Sequence, residues 1–512
     1  LSLDCHGGES SVGSTDQEAD VSEQSNEYTK PDGARNVGTI TLDGRELTYS
    51  SEADWLVLRK DEEPVAEIFH VYYAVDDDTG RRPLTIVFNG GPGAASAYLH
   101  VGALGPRRVA FNPDGTPPGP PVELVDNAES WLAFTDLVFV DPVGTGFSRA
   151  VPKKAKNGEE KNDADDPARE FWKVERDLNA LGEFISKFLS ARHRWDSPIF
   201  IAGESYGGFR TAKLARLAQE TYGVGLNGTI LISPALEFSL LDSSDYDLLP
   251  WIDVLPSMAA AAAHHRRASA YDDPADLAAV RAKAEAFAVE TAPKLLLAGE
   301  ALSERERSRL AGQLAKHIGL SRETVERSGG RIGPRRFVRE LLRDRGLVCG
   351  LYDATVTTAD PYPDRETFAG PDPTLRAIER IFAAGINTHL RRGLGLATER
   401  DYHLLSMQVN QGWQIDMERH ALESQIGATD DLRYGMSLNP HMKVRITHGV
   451  YDLVTPYFSS DRISRLMRLS DEARGNLSLK HYAGGHMFYA WEESRKEFAQ
   501  DMRAFYAEAV SR

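Results

Sequence analysis

The sequence predicts an α/β protein with a mostly parallel central sheet and an inserted helical cap. Short, mostly apolar runs recur along the chain, as central parallel strands require because both of their faces are buried. An amphipathic helical stretch separates two of these runs, and alternation of strand, helix and strand is typical of a right-handed α/β sheet. A helix-rich tract without such runs interrupts the alternation after residue 235.

The first part of the chain is expected to begin without structure and to continue as antiparallel strands. Residues 1–36 are rich in Ser, Gly, Asp and Glu. The segment has too few apolar side chains to bury the surface that would offset the entropy of ordering. This composition predicts a disordered acidic arm. From residue 37, β-rich runs separated by charged turns predict an antiparallel meander. These runs cover residues 38–42, 46–50, 55–59 and 65–75.

The later apolar runs predict the parallel part of the sheet. They cover residues 84–88, 137–140, 198–202, 229–232 and 444–447. Residues 167–193 carry apolar side chains at helical spacing and predict the helix between the second and third of these runs. We assign residues 37–235 and 401–512 to the sheet domain and residues 236–400 to the cap. A separate helical domain with an unrelated role is the alternative for this tract.

The composition excludes several classes of protein. The chain has 512 residues and a net charge of −17, with 41% hydrophobic and 26% charged residues, as in ordinary globular proteins. An acidic balance argues against a nucleic-acid partner, and no run reaches the roughly 18 apolar residues of a membrane span.

Cys5 and Cys349 permit at most one disulfide, and we expect none because Cys5 lies in the arm. No motif for a metal, nucleotide or redox cofactor occurs, so no cofactor is expected. The oligomeric state stays open, a homodimer included.

The candidate nucleophile is Ser205, in the motif Gly-Glu-Ser-Tyr-Gly directly after the run at residues 198–202. A G-x-S-x-G motif at the end of a strand places its serine on a strained strand-to-helix turn. The flanking glycines leave no side chain to clash with the neighbouring backbone. A structural glycine-rich turn is the alternative, and the preceding strand favours the nucleophile.

A serine nucleophile needs a base, and the base needs an acid that orients it. In folds with this motif the acid and then the histidine follow the serine along the chain. Asp452 and His486 occur in this order, each just past a strand-like run. His448 and Asp401 are rivals, although His448 lies within the strand end, where a structural role is favoured.

The candidate oxyanion hole comes from the glycine-rich run Asn-Gly-Gly-Pro-Gly at residues 89–93, which follows the run at residues 84–88. A turn of this kind can aim a backbone N–H at a developing oxyanion. We expect the N–H groups of Gly91 and Tyr206 to form the hole, the latter because it follows the nucleophile.

Five sequence blocks together resemble the serine carboxypeptidase family. In order they are NGGPG at 89–93, FVDPVGTGFS at 139–148, GESYGG at 203–208, GVYD at 449–452 and GGHM at 484–487. The resemblance implies an α/β-hydrolase fold with a helical cap and an acyl-enzyme mechanism. It also implies that Ser205, Asp452 and His486 form a catalytic triad. Asn89, Gly90 and Glu204 would bind the C-terminal carboxylate of the substrate.

Several departures from the family pattern point to a divergent, bacterial branch. The family has a glutamate before Leu-Gly-Pro that pairs with the carboxyl next to the serine, and here that position is Ala103. Without this neighbour, and with burial left aside, Glu204 is expected to titrate near the usual value of about 4.3. Recognition of a free C-terminus should then be weaker, unless Arg210, which stands where the family has tyrosine, or an arginine of the cap substitutes.

The expected activity is hydrolysis of peptide bonds at or near the C-terminus. Two further activities stay open on the same triad, namely acyl transfer to an alcohol or amine and cleavage of esters or amides without a free carboxylate. A binding protein without turnover is disfavoured by the intact order of the triad residues. The protein is expected to be periplasmic or secreted. A lipid anchor at Cys5 is the less favoured alternative.

Overall fold

The apolar runs form strands in the computed structural model, which describes residues 28–76, 81–152, 166–365, 370–415 and 426–511. Strands predicted from the core runs begin and end within two residues of the expected positions. The strands are β1 Ala34–Leu42, β2 Arg45–Lys60, β3 Glu63–Val75, β4 Leu84–Phe88, β5 Arg107–Val109, β6 Leu124–Asp126, β7 Asp136–Val140, β8 Arg149–Ala150, β9 Ile199–Glu204, β10 Gly228–Ile232, β11 Leu347–Cys349, β12 Thr357–Ala359, β13 Lys443–Gly449 and β14 Leu477–Tyr482.

Ten of the described strands form one mixed sheet in the order β1-β2-β3-β7-β4-β9-β10-β13-β14, with β8 paired to β3. The strands from β7 to β14 in this order run parallel, whereas β1, β2, β3 and β8 pair antiparallel. The predicted fold class, a mostly parallel α/β sheet, is therefore confirmed. The carboxyl ends of β4, β9, β10, β13 and β14 meet at one edge of the sheet.

Helices cover both faces of this sheet and extend between β10 and β13. The α-helices are α1 Ala97–Leu99, α2 Val174–Ala191, α3 Tyr206–Glu220, α4 Leu249–Asp253, α5 Leu255–His264, α6 Leu277–Glu290, α7 Ala292–Ala298, α8 Glu304–Ile318, α9 Arg322–Arg327, α10 Pro334–Glu340, α11 Leu375–Asn387, α12 Met407–Gly412, α13 Thr429–Leu438, α14 Tyr457–Leu466, α15 Asp471–Gly475 and α16 Glu492–Val510.

The hydrophobic core has two layers because successive side chains of a strand point to opposite faces. In β9, Phe200 and Ala202 join the layer that contains α11 and α16, whereas Ile199 and Ile201 join the layer under α2 and α3. Each core strand therefore needs apolar residues at most of its positions. This requirement is why the strands are visible in the sequence as mostly apolar runs.

The tract between β10 and β13 is mostly helical and has its own core, as its composition predicts. Helices α4 to α10 pack together around Met258, Val280 and Leu310. The same core includes Tyr451 and Tyr457, which flank the loop after β13, so the helices rest on that loop. A short hairpin, β11 and β12, also lies in this tract. The assignment of residues 236–400 to a cap domain stays a prediction.

Two details differ from the expectations. Residues 1–27 of the predicted arm lie outside the described residues, but its last three residues belong to β1, which begins at Ala34. Strand β1 pairs with β2 along its whole length through backbone hydrogen bonds, which do not require apolar side chains. The runs at residues 46–50 and 55–59 are one strand, β2. Within the described ranges, no helix has both the length and the apolar character to cross a membrane.

Candidate active site

Ser205 lies at the tip of a sharp turn between β9 and α3. Its backbone has φ 60° and ψ −123°, a region that non-glycine residues rarely adopt and that costs about 1–3 kcal/mol. The Ser205 N–H donates to the carbonyl of Ile232 at 2.9 Å, and the Ser205 carbonyl accepts from the Ala235 N–H at 3.1 Å. The strained turn is thus anchored to the end of β10.

The two glycines of the motif are required by close backbone packing around this turn. A Cβ on Gly203 would lie 2.1 Å from the carbonyl oxygen of Gly207. A Cβ on Gly207 would lie 2.7 Å from the carbonyl oxygen of Phe88 and 2.9 Å from that of Asn89. The turn can therefore approach the loop after β4 only because both positions lack a side chain.

Asp452 and His486 follow neighbouring parallel strands, β13 and β14, at the same edge of the sheet as Ser205. His486 Nδ1 lies 2.7 Å from Asp452 Oδ2. Ser233, just past β10, donates to the carbonyl of His486 at 2.8 Å, and the same segment holds the Ser205 turn. Within the described ranges no hydrogen bond joins Ser205 Oγ to the His486 ring. Such bonds often form only when substrate is bound.

Groups of its own loop donate hydrogen bonds to the carboxylate of Asp452. It is fully buried and accepts from the N–H groups of Val454 at 2.7 Å and Thr455 at 3.1 Å. The Thr455 hydroxyl lies 2.7 Å from Asp452 Oδ2 and 3.1 Å from His486 Nδ1. These contacts fix the carboxylate so that it can orient the imidazole.

The charge state of His486 depends on these neighbours. Burial by itself would lower the pKa of His486, but the charge of Asp452 and its hydrogen bond, with a further contribution from Glu204, raise that pKa above its ordinary value of 6.5. A buried imidazole with an elevated pKa is a stronger proton acceptor than a free one. This is suited to general-base work near neutral pH.

The glycine-rich loop after β4 packs directly against the turn at Ser205. A Cβ on Gly90 would lie 2.5 Å from the backbone nitrogen of Tyr206, so the two backbones are in contact. Gly91 has φ +98°, a conformation that favours glycine. Tyr206 is the first residue of α3, and the first N–H groups of a helix have no partner within it. The geometry brings the two predicted oxyanion-hole residues to one place.

Glu204 lies beside the nucleophile and is enclosed by hydrogen-bond donors. The residue is 3% exposed, and its carboxyl group accepts from the Tyr489 hydroxyl at 2.8 Å and from Asn89 Nδ2. Burial raises the pKa of Glu204 to about 7, against the opposing charge of His486. The expected value near 4.3 left burial aside, and burial is the cause that raises this pKa.

Arg210 is not available to bind a substrate carboxylate. It is fully buried, its Nε and Nη2 donate to both oxygens of Asp177 at 2.7 and 3.2 Å, and its Nη1 donates to the carbonyl of Asn89 at 2.8 Å. The alternative that Arg210 substitutes for the missing glutamate is therefore wrong, whereas substitution by an arginine of the cap stays a prediction. Its guanidinium instead joins α3 to α2 and to the loop after β4.

The alternative candidates for the triad, His448 and Asp401, have other hydrogen-bond partners in the structure. His448 is buried with its Nε2 2.8 Å from Ser460 Oγ, and burial lowers the pKa of His448 to about 3. Asp401 is exposed, and its carbonyl accepts from Arg149. Sequence reasoning missed Tyr489 and Thr455. Only their nearness to His486 and Asp452 in the sequence could have indicated them.

A pocket lies between the helical tract and the loop after β13, with Thr455 on its wall. Its apolar lining comes from the segment after β10, from α4 and its neighbours, and from the loop after β13. These residues are Pro234, Ala235, Leu236, Leu240, Leu241, Pro250, Trp251, Val254, Pro334, Leu453, Val454, Pro456 and Ile463, and the polar residues Glu237, Ser243, Asp253 and Ser459 also line the pocket. Among the described residues no cluster of side chains is suited to hold a metal ion.

Comparison with known proteins concerns mainly the part of the site that comes from the loop after β4 and the Ser205 turn. The model of the serine carboxypeptidase family matches residues 45–230, which include the loop after β4 and the Ser205 turn. Serine carboxypeptidase-like 36 and serine carboxypeptidase-like 45, both from Arabidopsis thaliana, are 27% and 30% identical to this chain over 210 and 185 residues. The resemblance to the serine carboxypeptidases is confirmed. The bacterial branch stays a prediction.

The extent of this similarity differs between sequence and structure. The two alignments cover 40% and 35% of this chain and 38% and 35% of the relatives, so the chain spans well under half of their length. The structure of Kex1Δp, a prohormone-processing carboxypeptidase from Saccharomyces cerevisiae, is 16% identical with a TM-score of 0.52. That comparison covers 90% of this chain and 92% of that one. It shows the shared α/β-hydrolase fold.

Proposed function

We propose that the chain is a serine-type peptidase that hydrolyses peptide bonds at or near the C-terminus through an acyl-enzyme. The observation that carries the proposal is the 2.7 Å contact between His486 and Asp452 at the sheet edge where Ser205 occupies a strained turn. The similarity of residues 45–230 to the serine carboxypeptidases supports the same reaction.

In the first half-reaction, Ser205 Oγ attacks the carbonyl carbon of the scissile bond while His486 Nε2 accepts the hydroxyl proton. Negative charge then develops on the carbonyl oxygen, where the N–H groups of Gly91 and Tyr206 donate to it. The C–N bond breaks, and His486 returns the proton to the leaving amine. Asp452 stabilises the imidazolium that exists between these two proton transfers.

In the second half-reaction, water attacks the ester formed on Ser205. His486 accepts a proton from the water, the acyl–oxygen bond breaks, and the proton returns to Ser205 Oγ. The products are the shortened peptide with a new carboxylate and the released residue. The pocket beside Thr455, which both apolar and polar side chains line, is proposed to take a side chain of the substrate.

Asn89, Gly90 and Glu204 are proposed to face the C-terminal carboxylate of the substrate. The burial of Glu204 supports this role because burial raises its pKa to about 7, and a protonated carboxyl group can donate a hydrogen bond to a carboxylate. A periplasmic or secreted location is part of the proposal and rests on the family resemblance. Cys5, where a lipid anchor is the less favoured alternative, lies outside the described residues.

Replacement of single residues tests the proposal. Ser205→Ala should lower kcat on a peptide substrate by about a millionfold, and His486→Gln should have a comparable effect, while circular dichroism shows an unchanged fold. His448→Gln is the matched control, because His448 is equally buried but pairs with Ser460. Unchanged peptidase activity in folded Ser205→Ala protein would contradict the proposal.

A further inference from the structure

A turn of the helical tract lies on the two loops that follow β13 and β14. It comprises residues 350–356, between β11 and β12, and we call it the hairpin turn. Its backbone is anchored within its own tract. The N–H of Leu351 donates to Asp372 Oδ2 at 2.7 Å, and the N–H of Tyr352 donates to Thr374 Oγ1 at 3.3 Å. The hairpin turn therefore presents a fixed surface to the two loops.

Backbone hydrogen bonds join the hairpin turn to the loop after β13. The N–H of Leu453 donates to the carbonyl of Leu351 at 3.1 Å, and the N–H of Ala354 donates to the carbonyl of Tyr451 at 3.1 Å. Tyr451 and Leu453 are the two neighbours of Asp452 in the chain. The acid of the proposed triad is therefore held from both sides by one turn of the helical tract.

The same turn contacts the loop after β14 at the proposed base. The N–H of His486 donates to the carbonyl of Tyr352 at 2.5 Å, and Trp491 Nε1 donates to Asp353 Oδ2 at 3.0 Å. A Cβ on Gly485 would lie 2.0 Å from the Tyr352 carbonyl oxygen and 2.4 Å from Asp353 Cβ. The close approach of the hairpin turn therefore requires a glycine directly before the histidine.

The side chain of Tyr352 also packs on the imidazole of His486. The two rings stand nearly perpendicular, at 85°, with their centroids 5.4 Å apart, which is a favourable arrangement of aromatic rings. The contact from Nδ1 to Asp452 holds one atom of the imidazole, but the torsion of a histidine ring about its Cβ–Cγ bond is broad. A second ring against the imidazole restricts this torsion.

We propose that Tyr352 is a positioning residue that fixes the orientation of the His486 imidazole, and that the helical tract takes part in catalysis through it. Tyr352 keeps Nδ1 on Asp452 and Nε2 in the orientation that accepts the proton of Ser205. Such precision matters because a catalytic group must be held within about 0.5 Å of its productive position. The inference rests on the proposed peptidase function.

The groups around His486 set the pH at which a displaced imidazole would titrate. Asp452, after β13, and Glu204, at the end of β9, raise the pKa of His486, whereas burial lowers it. His448, in β13, also lies near His486, but burial lowers the pKa of His448 to about 3, so it is neutral. Because the net result is a pKa above 6.5, an imidazole that turns away from Asp452 towards solvent should titrate closer to 6.5. Removal of the Tyr352 ring should therefore lower the pKa of His486.

The experiment measures kcat and KM from pH 5 to 9 for a peptide and for p-nitrophenyl acetate, a small ester that needs no peptide-binding contacts. The proteins are the native chain, Ser205→Ala and three variants of Tyr352. Tyr352→Phe keeps the ring, whereas Tyr352→Leu and Tyr352→Met remove it and keep an apolar side chain. Two variants without the ring are used so that the test does not depend on the folding of one, and circular dichroism checks the fold of each.

Tyr271→Leu is the matched control. Tyr271 is a buried residue of the helical tract, and its ring packs on that of His317, in α8, at 83° with centroids 5.4 Å apart. Its replacement removes an equivalent ring from a histidine that has no part in the proposed reaction. A loss of activity caused only by loosened packing of the tract would therefore occur in this variant too.

The inference predicts that Tyr352→Leu and Tyr352→Met lower kcat on both substrates by about 10- to 100-fold, as expected for a displaced catalytic group, and leave KM unchanged. The acidic midpoint of kcat/KM should move down towards pH 6.5 in these two variants. Tyr352→Phe should retain the native kcat and the native midpoint. Tyr271→Leu should change neither quantity.

The other outcomes separate two kinds of failure. Native kcat in the variants without the ring, an equal loss in Tyr271→Leu, or a midpoint that does not move down overturns the inference while the peptidase function stands. A change confined to KM for the peptide also overturns it, because Tyr352 would then contact only the substrate. Absence of any Ser205-dependent cleavage of the peptide or the ester overturns the proposed function and the inference with it.

Discussion

Replacing Arg210 by methionine removes a buried guanidinium that holds three segments of the site together. The side chains of Arg210 and Asp177 are 1% and 5% exposed, so neither charge reaches solvent. Both oxygens of Asp177 accept from Arg210, and the remaining donor reaches the carbonyl of Asn89 at 2.8 Å. The variant leaves Asp177 charged and without its partner in the core.

The size of the effect follows from this burial. Breaking a buried ion pair by removing one partner typically costs about 3–5 kcal/mol, a large part of a usual stability of about 5–15 kcal/mol. Replacing both partners by apolar residues is often nearly neutral. The double variant Arg210→Met with Asp177→Leu should therefore recover most of the loss. A cost of about 1–3 kcal/mol should remain, because the Asn89 carbonyl loses its donor.

The pKa of Asp177 also determines how the loss of stability in Arg210→Met changes with pH. Burial raises the pKa of Asp177 and Arg210 opposes this rise, so the single variant raises it further. An acid whose pKa is higher in the folded than in the unfolded protein is destabilising above the folded pKa, and the penalty disappears below the unfolded pKa. The loss of stability in Arg210→Met should thus be larger at pH 7 than at pH 5.

Urea unfolding followed by circular dichroism at pH 5 and 7 measures the free energies, and peptide cleavage measures kcat/KM. Both the single and the double variant should lose about 10- to 100-fold in kcat/KM, because a displaced loop misplaces Asn89 relative to Ser205. Equal instability of the two variants would refute the electrostatic reasoning. Recovery of activity together with stability would refute the role of Arg210 in positioning the loop.

Two further predictions concern the pH profile and the turn. Because the pKa of His486 is raised above its ordinary 6.5 and that of Glu204 is about 7, kcat/KM for a free-acid peptide should rise with pH as His486 deprotonates. It should fall again as Glu204 ionises, whereas the amidated peptide should show only the rise. A plateau above pH 8 for the free acid would contradict this account. Gly207→Ala should cost about 1–3 kcal/mol through overpacking, because its Cβ would meet backbone oxygens at 2.7 and 2.9 Å. Gly225→Ala, whose Cβ would meet nothing within 4 Å, is the control for unfolding measurements.

The sequence by itself determined the central strands and the order of the site segments. Strands such as β4, Leu84–Phe88, are buried on both faces, so most of their residues are apolar and the run is visible without a structure. The turn at Ser205 is also local, because its two glycines and the preceding strand are adjacent in the chain. The run predicted for β1 begins four residues after Ala34, because an edge strand paired through its backbone carries little apolar signal.

Only the tertiary structure decided the chemistry around Glu204. Its pKa depends on burial and on Tyr489, which is 285 residues away in sequence. The Arg210 guanidinium is held by Asp177 and by the Asn89 carbonyl, and no local sequence pattern indicates either contact. Strands and turns are specified by neighbouring residues, whereas desolvation and hydrogen-bond partners are set by segments that meet only when the sheet edge and its loops are assembled.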